Sequence, residues 1–488
     1  MVNIYWARKD KVLAGFFLLL ILISFLTNFY GSTDVGDYSD VAKFFAGKYS
    51  ADIRNSHSYF YGFIHAPIVK LTNSFVIFKI TSLISILLII TSVYLISGKD
   101  RRALWLIILS PVVGYMIPWI SPIPLASLCL LWSYYFIRKY DSSNAFKYLF
   151  YSSFLIGLGW VIWDTIFFFG AIMLICFLCN KKFYSAVLSA LFLLIGLIPR
   201  LVLDQKLFGF AFYTTLKTFF ASLVSMVLGG IYGAQTAQRY GLISFIAILI
   251  ALPLYYFMVY KKSEFLKNKK EIIFITLSLL LIFSNPQIRY LLALIPIMVL
   301  ASLPYLDKRK FKFQIKLSVI VLIIFFIPYT LQIFYSISAN PYGDEITTMM
   351  SKFGTLSLQK DVQSEIASDL SDIGKSYGGQ IFLVGNTPDD YQILAHVYWG
   401  ADKIQFVSIQ DYNLWKENRT ILFEKTFMPT PRIADRRQIW VTGGIMRNLN
   451  DNTNYSAIRY GLGINEPLDS EDFKLIKKYD ILYLSERK

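Results

Sequence analysis

KVLAGFFLLLILISFLTNFYGSTDVGDYSD, residues 11–40, decides how the chain is read. No charge interrupts it between Lys11 and Asp34. The apolar part is therefore long enough to cross a hydrocarbon core of about 30 Å as a helix. Where that run ends, Asp34, Asp37 and Asp40 follow one another at spacings of three.

The rest of the chain fits this beginning. Of 488 residues, 55% are hydrophobic and 17% aromatic, with a mean hydropathy of +0.50, more than a soluble core of this size needs. The pattern predicts a polytopic α-helical membrane bundle of about eleven spans, at 12–29, 75–97, 103–119, 121–137, 148–163, 165–179, 183–203, 239–260, 271–284, 290–305 and 316–337. The first run has a basic flank like a signal peptide, but ISFLTNFYG lacks a small-x-small cleavage pattern, so it reads as a retained anchor. Residues 338–488 read as a soluble α/β domain, with a polar helix in LQKDVQSEIASDLSDIGKSY and strands in QIFLVG, KIQFVSI, QIWVTG and DILYLS. No GxGxxG or phosphate loop follows any of these strands.

Charge gives the orientation. Six alternate loops hold 21 basic and six acidic residues, which accounts for +15 of the formal net charge of +16. Lysine and arginine stay on the cytoplasmic side of short loops, so the N-terminus is expected inside and residues 338–488 outside, in a multi-pass protein of the plasma membrane. The basic balance thus reports topology and contact with membrane lipids, and no nucleic acid is expected. Cys129, Cys176 and Cys179 all fall in predicted spans and read as packing residues.

The candidate chemistry gathers on the outward side. In the loop 30–74, Val41, Phe44 and Phe45 form an apolar stripe opposite Asp37, Asp40 and Lys43, the pattern of a helix lying on the membrane surface. There Asp34 is an N-cap and Asp37 a partner of the helix dipole, or the acids serve as general base or metal ligands. In SNPQIRY, residues 284–290, Arg289 either snorkels to headgroups or turns inward to a phosphate, with Gln287 and Tyr290 beside it. Asp164 after Trp163, and Arg200 with Asp204, stand at other outward span ends. Tyr38 and His65 complete the candidates for substrate contact, and the absence of an HExxH pattern or paired histidines argues against zinc.

Together these stretches resemble a family. The acids in DVGDYSD, the segment YGFIHAPIVKL before the second span and the late turn SNPQIRYLLALIP resemble the GT-C glycosyltransferases, over residues 8–337. Within that family the pattern is most similar to the branch that takes a single sugar from a polyprenyl-phosphate carrier, as protein O-mannosyltransferases and lipid A aminoarabinose transferases do. The resemblance implies a catalytic domain at 1–337, with 338–488 extracytoplasmic. It implies Asp37, neighboured by Asp34 or Asp40, as base, and Arg289 at the donor phosphate, where Tyr290 and Arg200 are the further candidates read from the residues. The donor would be a polyprenyl- or dolichyl-phosphate-linked hexose, mannose by family frequency, and the acceptor a glycan, lipid or protein.

Two departures from the family are plain. The first loop lacks the adjacent Asp-Glu pair usual in protein O-mannosyltransferases, and residues 338–488 lack a WWDYG-like motif. Asp34 and Asp37 are the candidate ligands if Mg²⁺ or Mn²⁺ takes part. The rival readings are a transporter or flippase of lipid-linked sugars, which would be expected to show internal repeats or charges at the midplane, and a non-catalytic scaffold subunit.

Overall fold

Apolar runs bounded by Pro, Gly and Asn become helices here, and the boundaries follow those residues. The computed structural model describes residues 8–26, 38, 41–42, 45–47, 53–54, 59–71, 76–216, 268–284, 288–335, 360–385, 405–409, 412, 416, 445–446, 455–468, 471–480 and 482–488. The helices are α1 (Arg8–Leu26), α2 (Tyr59–Val69), α3 (Val76–Ile96), α4 (Arg101–Ile108), α5 (Pro111–Met116), α6 (Ile123–Ser143), α7 (Phe146–Ile162), α8 (Ile166–Cys179), α9 (Phe183–Phe208), α10 (Lys269–Ser284), α11 (Ile288–Leu291), α12 (Ile295–Ser302), α13 (Lys308–Tyr335) and α14 (Lys360–Tyr377).

The expected span 103–119 is two helices, because Pro111 has no N–H to give and its ring would crowd the turn before it. The expected span 290–305 is likewise divided, into α11, a turn, α12 and a 3-10 turn at Leu303–Tyr305. Asp100 caps α4 by accepting the Arg102 N–H at 2.8 Å. α6 ends on Asn144, whose left-handed φ of 51° lets its N–H reach the Tyr140 carbonyl. Among the described residues Ile77–Ile96 and Phe183–Leu207 are by themselves long and apolar enough to cross a membrane, and the expected span 239–260 lies outside them.

The chain divides into two compact units. The first draws on Met1–Gly31, Lys79–Pro199 and Ile231–Thr355. Its outer surface is greasy: Leu18, Leu22 and Phe25 on α1, Ile80, Ile84, Leu87 and Leu88 on α3, and Val187, Leu191, Leu194 and Ile198 on α9 are all exposed. Its interior is laced with hydroxyls. Ser153 and Ser189 meet at 2.6 Å and Ser133 and Ser152 at 2.8 Å, all four buried. Apolar outside and small or hydroxylic inside is the distribution that lipid selects. α7 and α9 touch through glycines, since a Cβ on Gly157 would run into the Leu193 carbonyl and one on Gly196 into the Phe154 carbonyl. Some residues of the basic loops tie helices together: Asp141 takes Lys270 at 2.5 Å and Lys182 at 3.3 Å, and Arg138 pairs with Glu271 at 3.3 Å.

The second unit draws on Ser32–Phe78, Arg200–Gly230 and Leu356–Lys488. Its sheet contains β2 (Ile381–Val384), β3 (Gln405–Ser408), β5 (Tyr460–Ile464), β6 (Phe473–Lys478) and β7 (Leu482–Arg487), in the order β3-β2-β5-β7-β6. β2 runs parallel to β3 and β5, and the other pairings are antiparallel. Alternation along β2 sends Phe382 and Val384 toward Leu370 and Ile373 of α14, while Leu383 packs on the other face with Val407, Tyr412 and Phe473. β1 (Ile53–Arg54) pairs with β4 (Ile445–Met446), setting Ile53 opposite Met446. A piece of the first loop is thus hydrogen-bonded to the C-terminal third of the sequence. Of the strands expected from sequence, QIFLVG, KIQFVSI and DILYLS coincide with β2, β3 and β7, and QIWVTG lies outside the described residues.

Candidate functional site

In the first unit the site is built around Arg289. The sequence IRYL of α11 buries Ile288 and Leu291, and Arg289 and Tyr290 between them stay half-buried. The Arg289 guanidinium carbon lies 5.7 Å from the centre of the Trp119 ring and 5.4 Å from that of Tyr290. Tyr290 in turn lies 5.5 Å from Trp163, and Trp119 lies 5.0 Å from Tyr115. Trp119, Tyr115 and Trp163 are buried, so the cation rests on a rigid aromatic cradle, an attraction of about 0.5–2 kcal/mol per ring. Asp164 follows Trp163 in the tight turn between α7 and α8, where its carbonyl accepts the Phe167 N–H at 3.1 Å.

The turn that carries Trp119 is pinned from two helices. The Ser24 hydroxyl donates to the Ile117 carbonyl at 3.3 Å, and the Ser121 N–H donates to the Ser82 hydroxyl at 3.2 Å. Lys79 of α3, 4% exposed in an otherwise apolar helix, donates to the Ser24 carbonyl at 2.5 Å. Sequence reasoning passed over Lys79; its signal was a single charge inside an apolar run.

In the second unit the described part of the first loop packs on α2. Tyr38, Val41 and Ala42 are buried and helical. A Cβ added to Gly62 would lie 2.7 Å from Val41 and 2.8 Å from the Tyr38 carbonyl, so glycine is what allows the loop backbone so close to α2. Tyr38 meets Tyr61 edge-on at 5.2 Å, and His65 stacks on Phe78 at 4.3 Å. The His65 Nδ1 is 2.6 Å from the Tyr61 carbonyl, which holds the ring within this aromatic stack. Burial pulls its pKa down from 6.5 to about 4, so it is neutral at ordinary pH.

Arg200 is found in a buried polar cluster at the end of α9. Its Nε donates to the Thr214 hydroxyl at 2.9 Å, and its guanidinium carbon lies 5.8 Å from the Tyr59 ring centre. The Asp204 carboxylate accepts the Tyr59 hydroxyl at 2.7 Å, the Thr214 N–H at 2.9 Å and the Thr214 hydroxyl at 2.7 Å. Burial first, and the Asp204 charge second, raise the Tyr59 pKa far above that of an ordinary phenol, so Tyr59 remains a donor. Tyr59 and Thr214 carried no signal in the sequence, since a Tyr before an apolar stretch and a Thr after a Pro-containing run are common.

The structure brings Arg289, Tyr290 and the Asp164 turn together in one unit, and Tyr38 and His65 together in the other. Asp34, Asp37, Asp40 and Gln287 lie outside the described residues. Among the described residues no group of three or more His, Cys, Asp or Glu side chains is placed to hold a metal ion.

The arrangement has a counterpart among solved membrane-enzyme folds only at the level of backbone architecture. More particularly, it is similar to ArnT from Cupriavidus metallidurans in two solved states. The form bound to undecaprenyl phosphate matches with a TM-score of 0.57 and 11% identity, over 98% of this chain and 98% of that one. The apo form matches with a TM-score of 0.58 and 10% identity, over 98% and 97%. No protein-family profile matches the sequence, and no curated protein does. At this identity the likeness is one of fold.

Proposed function

We propose that the chain is an integral-membrane glycosyltransferase that moves one hexose from a polyprenyl-phosphate carrier to a glycan, lipid or protein acceptor at the outer membrane face. The supporting observation is the fold shared end to end with a protein crystallised on undecaprenyl phosphate. The greasy exterior of the first unit suits such a donor, whose tail must stay in hydrocarbon while its phosphate reaches the boundary.

In this reading Asp37 takes the proton from the acceptor hydroxyl as that oxygen attacks the anomeric carbon. The bond from the anomeric carbon to the phosphate oxygen breaks, and the lipid phosphate leaves with its electron pair. Arg289, oriented by Trp119 and Tyr290, stabilises the charge that grows on the leaving phosphate. Asp34 or Asp40 neighbours the base, and Tyr38, His65, Asp164 and Gln287 bound the sugar and acceptor. Asp34 and Asp37 would also be the ligands of any Mg²⁺ or Mn²⁺, a point that activity after EDTA treatment tests. In the same reading the N-terminus is cytoplasmic and residues 338–488 lie outside, as the distribution of Lys and Arg among the loops suggests.

The test is incubation of the purified protein with radiolabelled polyprenyl-phosphate sugars, mannose first, and membrane extract. Label should pass from the carrier to an acceptor fraction. If every donor keeps its label, the proposal is wrong.

A further inference from the structure

We infer that Tyr59, Arg200, Asp204 and Thr214 form a positioning clamp that holds α2 and, through it, the first-loop residues Tyr38, Val41 and Phe45. The inference rests on the reaction proposed above, and it assigns Arg200 to the protein's own framework rather than to the donor phosphate.

The four residues come from three separate places in the sequence: the first turn of α2, the end of α9 and the turn that follows it. Arg200 is 1%, Asp204 0%, Thr214 1% and Tyr59 1% exposed. Removing a carboxylate and a guanidinium from water is costly, and apolar side chains of the same volume hold helices together as well or better. A buried network of directional bonds does something apolar packing does not, which is to select one geometry. Here the Asp204 carboxylate accepts from Tyr59 and from both donors of Thr214, and the Thr214 hydroxyl oxygen in turn accepts from Arg200. A shift of α2 along α9 breaks the Tyr59 bond and leaves a buried carboxylate short of a donor.

From Tyr59 the constraint reaches the loop by contact. Its ring stacks on Phe45 at 6.4 Å with planes 28° apart, and Phe45 packs edge-on against Phe63 at 4.9 Å. One turn along α2, Gly62 receives Val41 and the Tyr38 carbonyl with no room for a side chain. Tyr38, Val41 and Phe45 are thus seated on α2, and the first residue of α2 is held by Asp204. Asp37, the proposed base, directly precedes Tyr38 in the sequence, so a displaced Tyr38 is expected to displace the base with it. A base must stand within hydrogen-bond reach of the acceptor hydroxyl, and displacement on the order of 1 Å is enough to slow transfer about 10²-fold.

The test uses the full chain in detergent or nanodiscs. Tyr59→Phe removes the bond to Asp204 and keeps the ring; Thr214→Val removes the bridging hydroxyl; Thr214→Ser keeps it. Tyr59→Phe and Thr214→Val should lower kcat by about 10-fold or more with the donor KM changed less than about two-fold, and Thr214→Ser should restore most of kcat. Thermal unfolding confirms that each variant folds. An unchanged kcat, or equal losses for Thr214→Ser and Thr214→Val, overturns the clamp. A second readout needs no activity: spin labels on Ala46→Cys and Lys206→Cys, with the three native cysteines replaced, should give one narrow distance distribution. That distribution should broaden or shift in Tyr59→Phe, and an identical distribution overturns the clamp. If the parent protein moves no sugar, the transferase reading fails while the label distances still decide this one.

Discussion

Arg289 holds its guanidinium carbon 5.7 Å from the centre of the Trp119 ring, and Trp119 is itself 2% exposed. A long, rotamer-rich cation is thereby kept on a support that cannot yield, at a turn pinned by Ser24 and Ser82. Pre-placed charge is what a leaving phosphate needs, because no reorganisation is then required as the bond breaks.

Arg289→Ala should raise the donor KM about 10- to 100-fold, the range given by losing a charge-assisted hydrogen bond of about 1.5–3 kcal/mol. Arg289→Lys keeps the charge but not the planar fork, and should recover only part of the loss. Donor titrations at fixed acceptor measure this. Donor kinetics unaltered in both variants would place Arg289 outside the phosphate site.

Asp37→Asn should lower the transfer rate by roughly 10²- to 10⁴-fold, the usual contribution of a placed general base, without altering expression or the unfolding temperature. Single-turnover assays with pre-bound labelled donor give the rate directly. Full activity in this variant would exclude Asp37 as the base.

His65 should make the protein acid-sensitive. Because burial lowers its pKa from 6.5 to about 4, the unfolded chain binds a proton between those values that the folded chain refuses. Its contribution is complete above pH 6.5 and falls as the pH drops toward 4, by up to about 3 kcal/mol. Unfolding curves of wild type and His65→Phe from pH 7 to pH 4 should diverge, with wild type losing more. Parallel curves would mean that His65 is protonated in the folded state.

Gly157→Leu and Gly196→Leu should each prevent the close approach of α7 and α9, with destabilisation of about 1–3 kcal/mol or outright misfolding. Gly15→Ala on α1, where an added Cβ meets nothing within 4 Å, should be neutral. Thermal unfolding in detergent compares the three. A tolerated Gly157→Leu would show that the pair does not need glycine.

The parts of the fold legible in sequence are those governed by local pattern. Apolar run length placed α3 and α9 to within a few residues, and QIFLVG and DILYLS marked β2 and β7, because β-branched and aromatic runs between turn residues have few alternatives. β5 and β6 were not anticipated: YGLGI has two glycines in five residues and FKLIKK is half lysine, and each becomes a strand only because a neighbouring strand offers it hydrogen bonds. At the candidate site Arg289 and Tyr290 could be singled out, since an arginine after a Pro turn between two apolar runs is uncommon. Their aromatic support could not. Trp119 and Trp163 are far from them in sequence, and nothing local says which of nine tryptophans will lie beneath a given arginine. Tyr59, Asp204 and Thr214 illustrate the same limit, since their pairing is a fact of tertiary structure alone.

The two-rung ladder of β1 with β4 spans about 390 residues of chain. A polypeptide leaving the ribosome presents residues 53–54 long before residues 445–446 exist to pair with them. Chains cut short ahead of β4 therefore lack this tether, and amide exchange at Ile53 and Arg54 is where truncated and whole chains should differ.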